Sequence, residues 1–477
     1  MACGTAPPAA KPFPFLRLPL ELREAIYSLY FKPADRLIQN TSLEAQGYFG
    51  GVYRFDLDLW RVNKQVYEES RRVWQRENVF VKIATPWPSA GMYRVYLMAT
   101  DGRDLVEFGS NGQLNHISSE GLVPIVCTDR HADAFTAHHA LVQITAPFHQ
   151  AVPEHTVVVL LDDLHLFTQT WYYSALSYPM LNDRLSTTFV LRDPYSEDSK
   201  DGEGREEKKV AGIPLQRRLL LPFEQVKGLY HMDISGYAQE VKDELERRMA
   251  KPIPTLQQCC ETAFELMTQG DTVLAANNAS EALQLYIQAF KAIHILIHGR
   301  TRRVLADVFF HEGIEHGRYA GQTGMTIRVV LRLKLVSRTI AAYLKLGQWN
   351  EAAYWGMRSI RIMREAIDTE FEEFLSELLG ESDVGLIYVR TATAFWKMEE
   401  ARGVWGDELK AYADESIANS ERLWALGTRY LKTKNKEAVR KELQSIGVPE
   451  SVVRMFGDVE KSVDEHSTMG QSGSGEE

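Results

Sequence analysis

The chain has 477 residues, 45% of them apolar and 25% charged, a balance that excludes a wholly disordered, collagen-like or membrane-embedded polypeptide. At roughly 100–200 residues per domain, this length predicts two to four domains. With 54 basic and 64 acidic side chains the net charge is −10, so the surface as a whole repels nucleic acid, and no nucleic-acid partner is expected.

Residues 1–14 are rich in alanine and proline and carry no apolar run of signal-peptide length; they are expected to be unstructured. Between 15 and 83 lie two helical patterns. In Leu18–Phe31, Leu18, Leu22, Ile26 and Leu29 recur at helical spacing, and Pro19 sits in the first turn, where a helix tolerates it. In Leu57–Arg76, Leu59, Val62, Val66, Val73 and Trp74 recur in the same way among charged residues. The stretch between them, with Gly47, Gly50 and Gly51, reads as a loop.

Over 84–237 the pattern becomes that of a mixed α/β region. VFVKIA, YRVYLMA, VPIVCT, LVQITA, TVVVLL and STTFVLR are short β-branched or aromatic runs bounded by Gly, Pro, Asp or Asn, and are expected to be strands. Residues 196–209, SEDSKDGEGREEKK, contain no apolar side chain and are expected to form an exposed, disordered loop. From 238 to 447 the sequence reads as almost wholly helical, and 458–477 as a polar, disordered tail.

The helical region carries internal echoes. Gly270, Ala282, Tyr286 and Ala289 stand at offsets 0, 12, 16 and 19. Gly347, Trp349 and Ala352 repeat the opening of that set, with Gly356 and Ser359 departing from it; Gly403, Trp405 and Tyr412 are a weaker third echo. Ala282 and Ala352 are 70 residues apart, near two periods of 34. These offsets resemble those of tetratricopeptide helix pairs, which implies an array of about three to five pairs curving into a groove that binds a client protein or peptide. An ordinary helical bundle would show similar Ala/Tyr spacing. Arg328, Arg332, Arg358, Arg361 and Arg364 fall on its helices. They either line a basic inner face for an acidic or C-terminal peptide, with Arg358 and Arg361 as contacts, or form a solvated outer face.

The N-terminal block Leu18-Pro19-x-Glu21-Leu22-x-x-x-Ile26-Tyr27 resembles the opening helix of the F-box family, in its fungal variant. A second block, carrying Leu59, Arg61, Val62, Gln65, Glu69, Trp74, Glu77, Asn78 and Phe80, resembles the other half of that module, with a long insert at about 32–56 between the two. The resemblance covers about residues 13–83. It implies a helical module that docks on the linker subunit of a cullin-type ubiquitin ligase through Leu18, Pro19, Leu22, Ile26 and Tyr27. The alternatives are that Leu22 and Ile26 face the protein's own core, that the chain is a repeat-based scaffold with no ligase contact, or that an enzyme lies in the strand-rich region.

No motif for chemistry emerges. His311-Glu312-x-x-Glu315-His316 is not H-E-x-x-H, since histidines five apart diverge by about 140° on a helix. His294 and His298 are four apart, but no third ligand accompanies them; Asp162, Asp163 and His165 follow a strand without further support. The glycines at 313, 317, 321 and 324 lack a following Gly-Lys-Ser/Thr. Cys3, Cys127, Cys259 and Cys260 have no metal or redox spacing and indicate a reducing compartment, cytoplasm or nucleus. The expectation is therefore an α+β multidomain, non-enzymatic interaction protein. It has F-box-like helices, a mixed strand-rich middle and a tetratricopeptide-like end, uses no cofactor or metal, and needs no membrane.

Overall fold

The apolar runs of the middle region pair into one mixed sheet. The structure, a computed structural model, describes residues 13–45, 48, 50–86, 123–148, 155–194, 211–365, 381–413, 415–431 and 433–456. It divides into two units, Met1–Ile253 and Pro254–Glu477.

The first unit opens with α1 (Leu20–Tyr30), β1 (Leu37–Ile38), α2 (Thr41–Ala45), β2 (Val52–Tyr53) and α3 (Lys64–Glu77). It continues through β3 (Phe80–Thr85), β4 (Cys127–Thr128), α4 (Asp129–Asp133), β5 (Ala140–Thr145), β6 (His155–Leu160) and α5 (Leu164–Ser177). β7 (Ser186–Leu191), α6 (Ile213–Leu220), β8 (His231–Ser235) and α7 (Gln239–Met249) complete it. The sheet order is β4-β6-β3-β5-β7-β8; β3/β5 and β7/β8 are parallel, and the other pairs antiparallel. Strand alternation sends Val81, Ile83, Val157 and Val159 into a core with Trp171, Phe223 and Leu245, on α5, α7 and the turn Leu221–Gln225. Phe80, Val158 and Leu160 point the other way, into a core shared with Tyr27 and Phe31 of the α1 segment and Val73 and Trp74 of α3.

Three boundaries differ from the sequence expectation. Because Phe80 and β6 complete the core beneath α1 and α3, the N-terminal helices are built onto the sheet and no break falls at 83/84. The stretch read as a loop contains α2 and the antiparallel pair β1–β2. The second helix starts at Lys64, not Leu57. Asn63, in extended geometry, accepts a bond from Val66 N at 2.9 Å and stops the helix from running back through Val62, while Asp58–Arg61 forms a separate 3-10 turn. YRVYLMA, residues 196–209, the tail 458–477 and residues 1–12 lie outside the described residues.

In the second unit, α8 (Leu256–Ala275) and α9 (Ala279–Ala292) form a hairpin; α8 begins at a capping box made by Thr255 and Gln258. Next come β9 (Ile295–His298), β10 (Thr301–Val304), α10 (Gly324–Lys345) and α11 (Trp349–Glu365). The last helices are α12 (Glu381–Glu400), α13 (Arg402–Lys410), α14 (Ser420–Arg429), α15 (Thr433–Ile446) and α16 (Glu450–Met455). α10 packs on both α8 and α9, and α12 on both α10 and α11, so each hairpin seats on the one before it. Two glycines make the close approaches. A Cβ on Gly270 would lie 2.5 Å from the Tyr286 ring, and one on Gly356 would lie 1.8 Å from Thr391 Oγ1. Tyr286 thus fills space inside its own pair, not only between pairs.

The helical region is interrupted by more than the short glycine-containing breaks that its sequence suggests. Residues 295–304 form an antiparallel β-hairpin turned at Gly299, whose φ is +55°, and 3-10 turns occupy Val308–His311 and Gly317–Tyr319. α7 belongs to the first unit, where Val241 and Leu245 are buried against the sheet.

Candidate functional site

The α1 segment presents two apolar stripes about 150° apart, and they meet different surroundings. Tyr27 and Phe31 are buried, together with Arg23. Leu22, Ile26 and Leu29, spaced i, i+4, i+7, remain 53%, 41% and 69% exposed. Phe13, Leu16 and Leu20 before and within the helix, and Val62 after it, are exposed as well. Of seventeen exposed large apolar side chains among the described residues, eight lie between Phe13 and Val62, which marks this as the concentration of unpartnered apolar surface.

The buried stripe is anchored by one ion pair. Arg23 grips Glu69 of α3 with two parallel bonds, Nη2 to Oε1 at 2.7 Å and Nε to Oε2 at 2.8 Å, both side chains nearly buried. Tyr27 Oη donates to the same carboxylate at 3.2 Å and Gln65 Nε2 at 2.9 Å. Arg23 Nη1 also donates to the Leu18 and Leu16 carbonyls, tying down the chain that leads into α1. The Arg23 guanidinium, with the other donors, holds the Glu69 carboxyl down to about 2, while burial next to that carboxylate pushes the Tyr27 phenol up to about 12.

The expected docking residues therefore separate. Pro19, Leu22 and Ile26 are exposed and Leu18 half-buried; Tyr27 is fully buried and cannot touch a partner, because its ring sits in the core and its hydroxyl is spent on Glu69. Arg23 was missed, since a lone arginine in a helix reads as solvated and its partner is 46 residues away. Three second-block residues act within the fold: the Trp74 and Phe80 rings pack with centroids 5.0 Å apart, and Asn78 Nδ2 donates to Trp74 O at 3.0 Å to close α3, while Val62 is exposed.

In the second unit the expected arginines separate too. Arg328 is buried, donating to Asp307 at 2.7 Å and to the Ile293, His294 and Leu305 carbonyls at 2.6–3.1 Å, so it locks the hairpin and is not a contact. Arg361 is engaged by Glu415 and is not free for a client in this arrangement. Arg358 is half-buried and donates to Tyr354 Oη at 3.3 Å; the side chain of Arg364 lies outside the described residues. Sequence reading overlooked Arg302 on β10, 8% exposed and 3.7 Å above the Trp355 ring, whose three nitrogens have no hydrogen-bond partner among the described residues.

The weighed chemical groups have other occupations. Asp163 accepts from Tyr53 Oη at 2.9 Å, and Asp162 from Arg218 at 2.7 Å. His294 is buried with φ at +55° outside any helix, and His298 lies on β9, so they share no helical face. His311 and His316 flank a loop, not a helix. Burial lowers His138 and His139 to about 4, and raises Cys127 and Cys259 to about 11 and Cys260 to about 12. Among the described residues no three His, Cys, Asp or Glu side chains are grouped to hold a metal, and no helix is long and apolar enough to cross a membrane. No family model, curated protein or solved structure matches this chain.

Proposed function

We propose that the chain is an adaptor that docks on the linker subunit of a cullin-type ubiquitin ligase through the exposed stripe of α1, and holds a client on its second unit. The observation that carries this reading is the exposure of Leu22, Ile26 and Leu29 on one helical face, on a helix tied to α3 from behind by the Arg23–Glu69 pair. Leu22 and Ile26 are also the positions singled out by the F-box-like resemblance. Rigid apolar side chains that leave water together are what a helix-in-groove contact uses. The stacked hairpins of the second unit support the client half, because tetratricopeptide-like arrays bind protein segments along their faces.

The test uses the full chain, since the α1 core borrows Val158 and Leu160 and a short N-terminal fragment would lack them. Purified linker subunit should be captured by the parent chain and lost with Leu22→Asp and Ile26→Asp, both variants remaining folded. Absence of capture by a folded parent chain would leave a repeat scaffold without ligase contact.

A further inference from the structure

Five arginines of the second unit are matched by carboxylates from other elements. Arg300 is matched by Glu351, Arg328 by Asp307, Arg338 by Asp271 and Asp383, Arg361 by Glu415 and Arg390 by Glu442. Among the arginines without a carboxylate partner, three belong to neighbouring elements. Arg302 on β10 lies 3.7 Å over Trp355 of α11, Arg358 is three residues further along that helix, and Arg332 follows one turn of α10 after Arg328, which holds the Leu305 carbonyl just beyond β10; among the described residues no carboxylate pairs with Arg302, Arg332 or Arg358. Arg302 is more than nine-tenths buried, with Nε, Nη1 and Nη2 all unpartnered, and Arg332 and Arg358 are half-buried.

Placing one guanidinium out of water without a counter-charge is costly, and two like charges beside it add to that cost. The Trp355 face beneath Arg302 offsets only part, since a cation–π contact is weaker than the hydration a guanidinium gives up. An anion seated among the three would recover the remainder. Three forked guanidinium groups match the oxygens of a tetrahedral dianion better than the two oxygens of one carboxylate, and their summed charge suits a charge near −2. Tyr354 Oη, which accepts from Arg358 at 3.3 Å and donates to Arg300 O at 3.3 Å, holds the rim of this group.

We propose that Arg302, Arg332 and Arg358 form a binding site for a phosphoryl dianion. The inference rests on the client-binding half of the proposed function and gives it a chemistry, while its test does not involve the ligase linker at all. A phosphorylated protein segment and a small phosphate ester would present the same group.

The first probe is inorganic phosphate, titrated into the full chain against chloride at matched ionic strength. A site of about 0.1 mM affinity, probed at 10 mM, should raise the unfolding temperature of the second unit by about 4 °C or more. Arg302→Met should abolish that response, and Arg332→Gln and Arg358→Gln, at half-buried positions where folding is safe, should each weaken phosphate binding about tenfold. If phosphate gives no shift beyond chloride, the site does not exist, whether because Trp355 suffices for Arg302 or because carboxylates elsewhere in the chain fill it. A shift that survives all three substitutions overturns the assignment equally. Once phosphate binds, a phosphoserine peptide that binds at least tenfold tighter than the inorganic ion assigns the source to a protein segment. A free phosphate ester that does so while the peptide gains nothing assigns it to a small ligand.

Discussion

Removing Arg23 tests the clamp behind the exposed stripe. Arg23→Met strips Glu69 of both its parallel bonds and leaves a carboxylate, 12% exposed, held by Tyr27 at 3.2 Å and Gln65 at 2.9 Å. Breaking a fully buried pair from one side costs about 3–5 kcal/mol, and a surface pair about 0–1. This pair lies at the edge of the core with water close by, so about 2–3 kcal/mol is expected. The assay is hydrogen exchange in the full chain, read on peptides spanning 20–30. Local opening made easier by that amount speeds exchange there about 30- to 150-fold while β3 and β6 stay protected. The pH dependence has a definite sign. Glu69 is depressed from 4.5 to about 2, so its stabilisation is full above about pH 4.5 and is lost as pH falls towards 2. The shift alone sets a ceiling of about 3 kcal/mol, which solvent screening reduces to about 1–2. Glu69→Gln should flatten this acid dependence. Exchange over 20–30 that changes less than threefold in Arg23→Met would refute the clamp.

Other substitutions separate surface from core. Leu22→Asp and Ile26→Asp should each change stability by no more than about 0.5 kcal/mol, whereas Tyr27→Ala should cost about 3–5, as read by chemical denaturation; equal losses would place the exposed stripe in the core. Gly356→Ala should lower the calorimetric transition of the second unit more than Gly270→Ala does. The added Cβ meets Thr391 Cβ at 2.8 Å, which moves only with its backbone, but at Gly270 it meets the edge of the buried Tyr286 ring, a side chain that yields by loosening its 2.9 Å bond to Asp271; the costs are about 1–3 kcal/mol of overpacking less about 1 regained in helix propensity. Cys259 and Cys260 are buried thiols raised to about 11 and 12, so at pH 7.5 iodoacetamide should modify them only as fast as the second unit opens, and labelling within minutes would contradict their burial.

Much of the fold was legible where period and environment agree. Five of the six apolar runs read as strands overlap strands of the sheet, and the helix Leu20–Tyr30 lies within its expected span, because alternation and 3.6-residue spacing are imposed by burial. Position in the sheet was not legible: β3 lies between β5 and β6 through pairings that no local pattern encodes. The hairpin at 295–304 was missed because Ile295, Leu296 and Ile297 extend the apolar count of the preceding helix. The available signal was the turn glycine, Gly299, between β-branched neighbours Ile297 and Thr301. At the candidate surface, spacing found the stripe of Leu22, Ile26 and Leu29 but could not say which way it faced, since the other stripe is equally regular. Arg302 was invisible for a related reason. An arginine on an irregular stretch reads as solvent-facing until Trp355, 53 residues on, is placed beneath it.

A helix with apolar residues on two stripes has a problem of rotation. Rolling α1 by about 150° would bury Leu22, Ile26 and Leu29 in place of Tyr27 and Phe31, and hydrophobic burial alone separates the two states poorly. Only one rotation brings Arg23 to Glu69, and the other would leave both charges unpaired, so the pair acts as the register mark that keeps the apolar stripe outside. The expectation can be separated from simple stabilisation. Arg23→Met with Glu69→Leu should keep stability within about 1 kcal/mol of the parent, because matched apolar replacement of an ion pair is often neutral. In a Leu22→Cys background, with Cys3 replaced by serine, maleimide should label position 22 rapidly in the parent and about twofold more slowly in the double variant, the slowing expected when two rotations are about equally populated. The folded helix then samples the rolled state that hides that residue. Equal labelling rates at equal stability would mean that the buried aromatic pair, Tyr27 and Phe31, sets the rotation unaided.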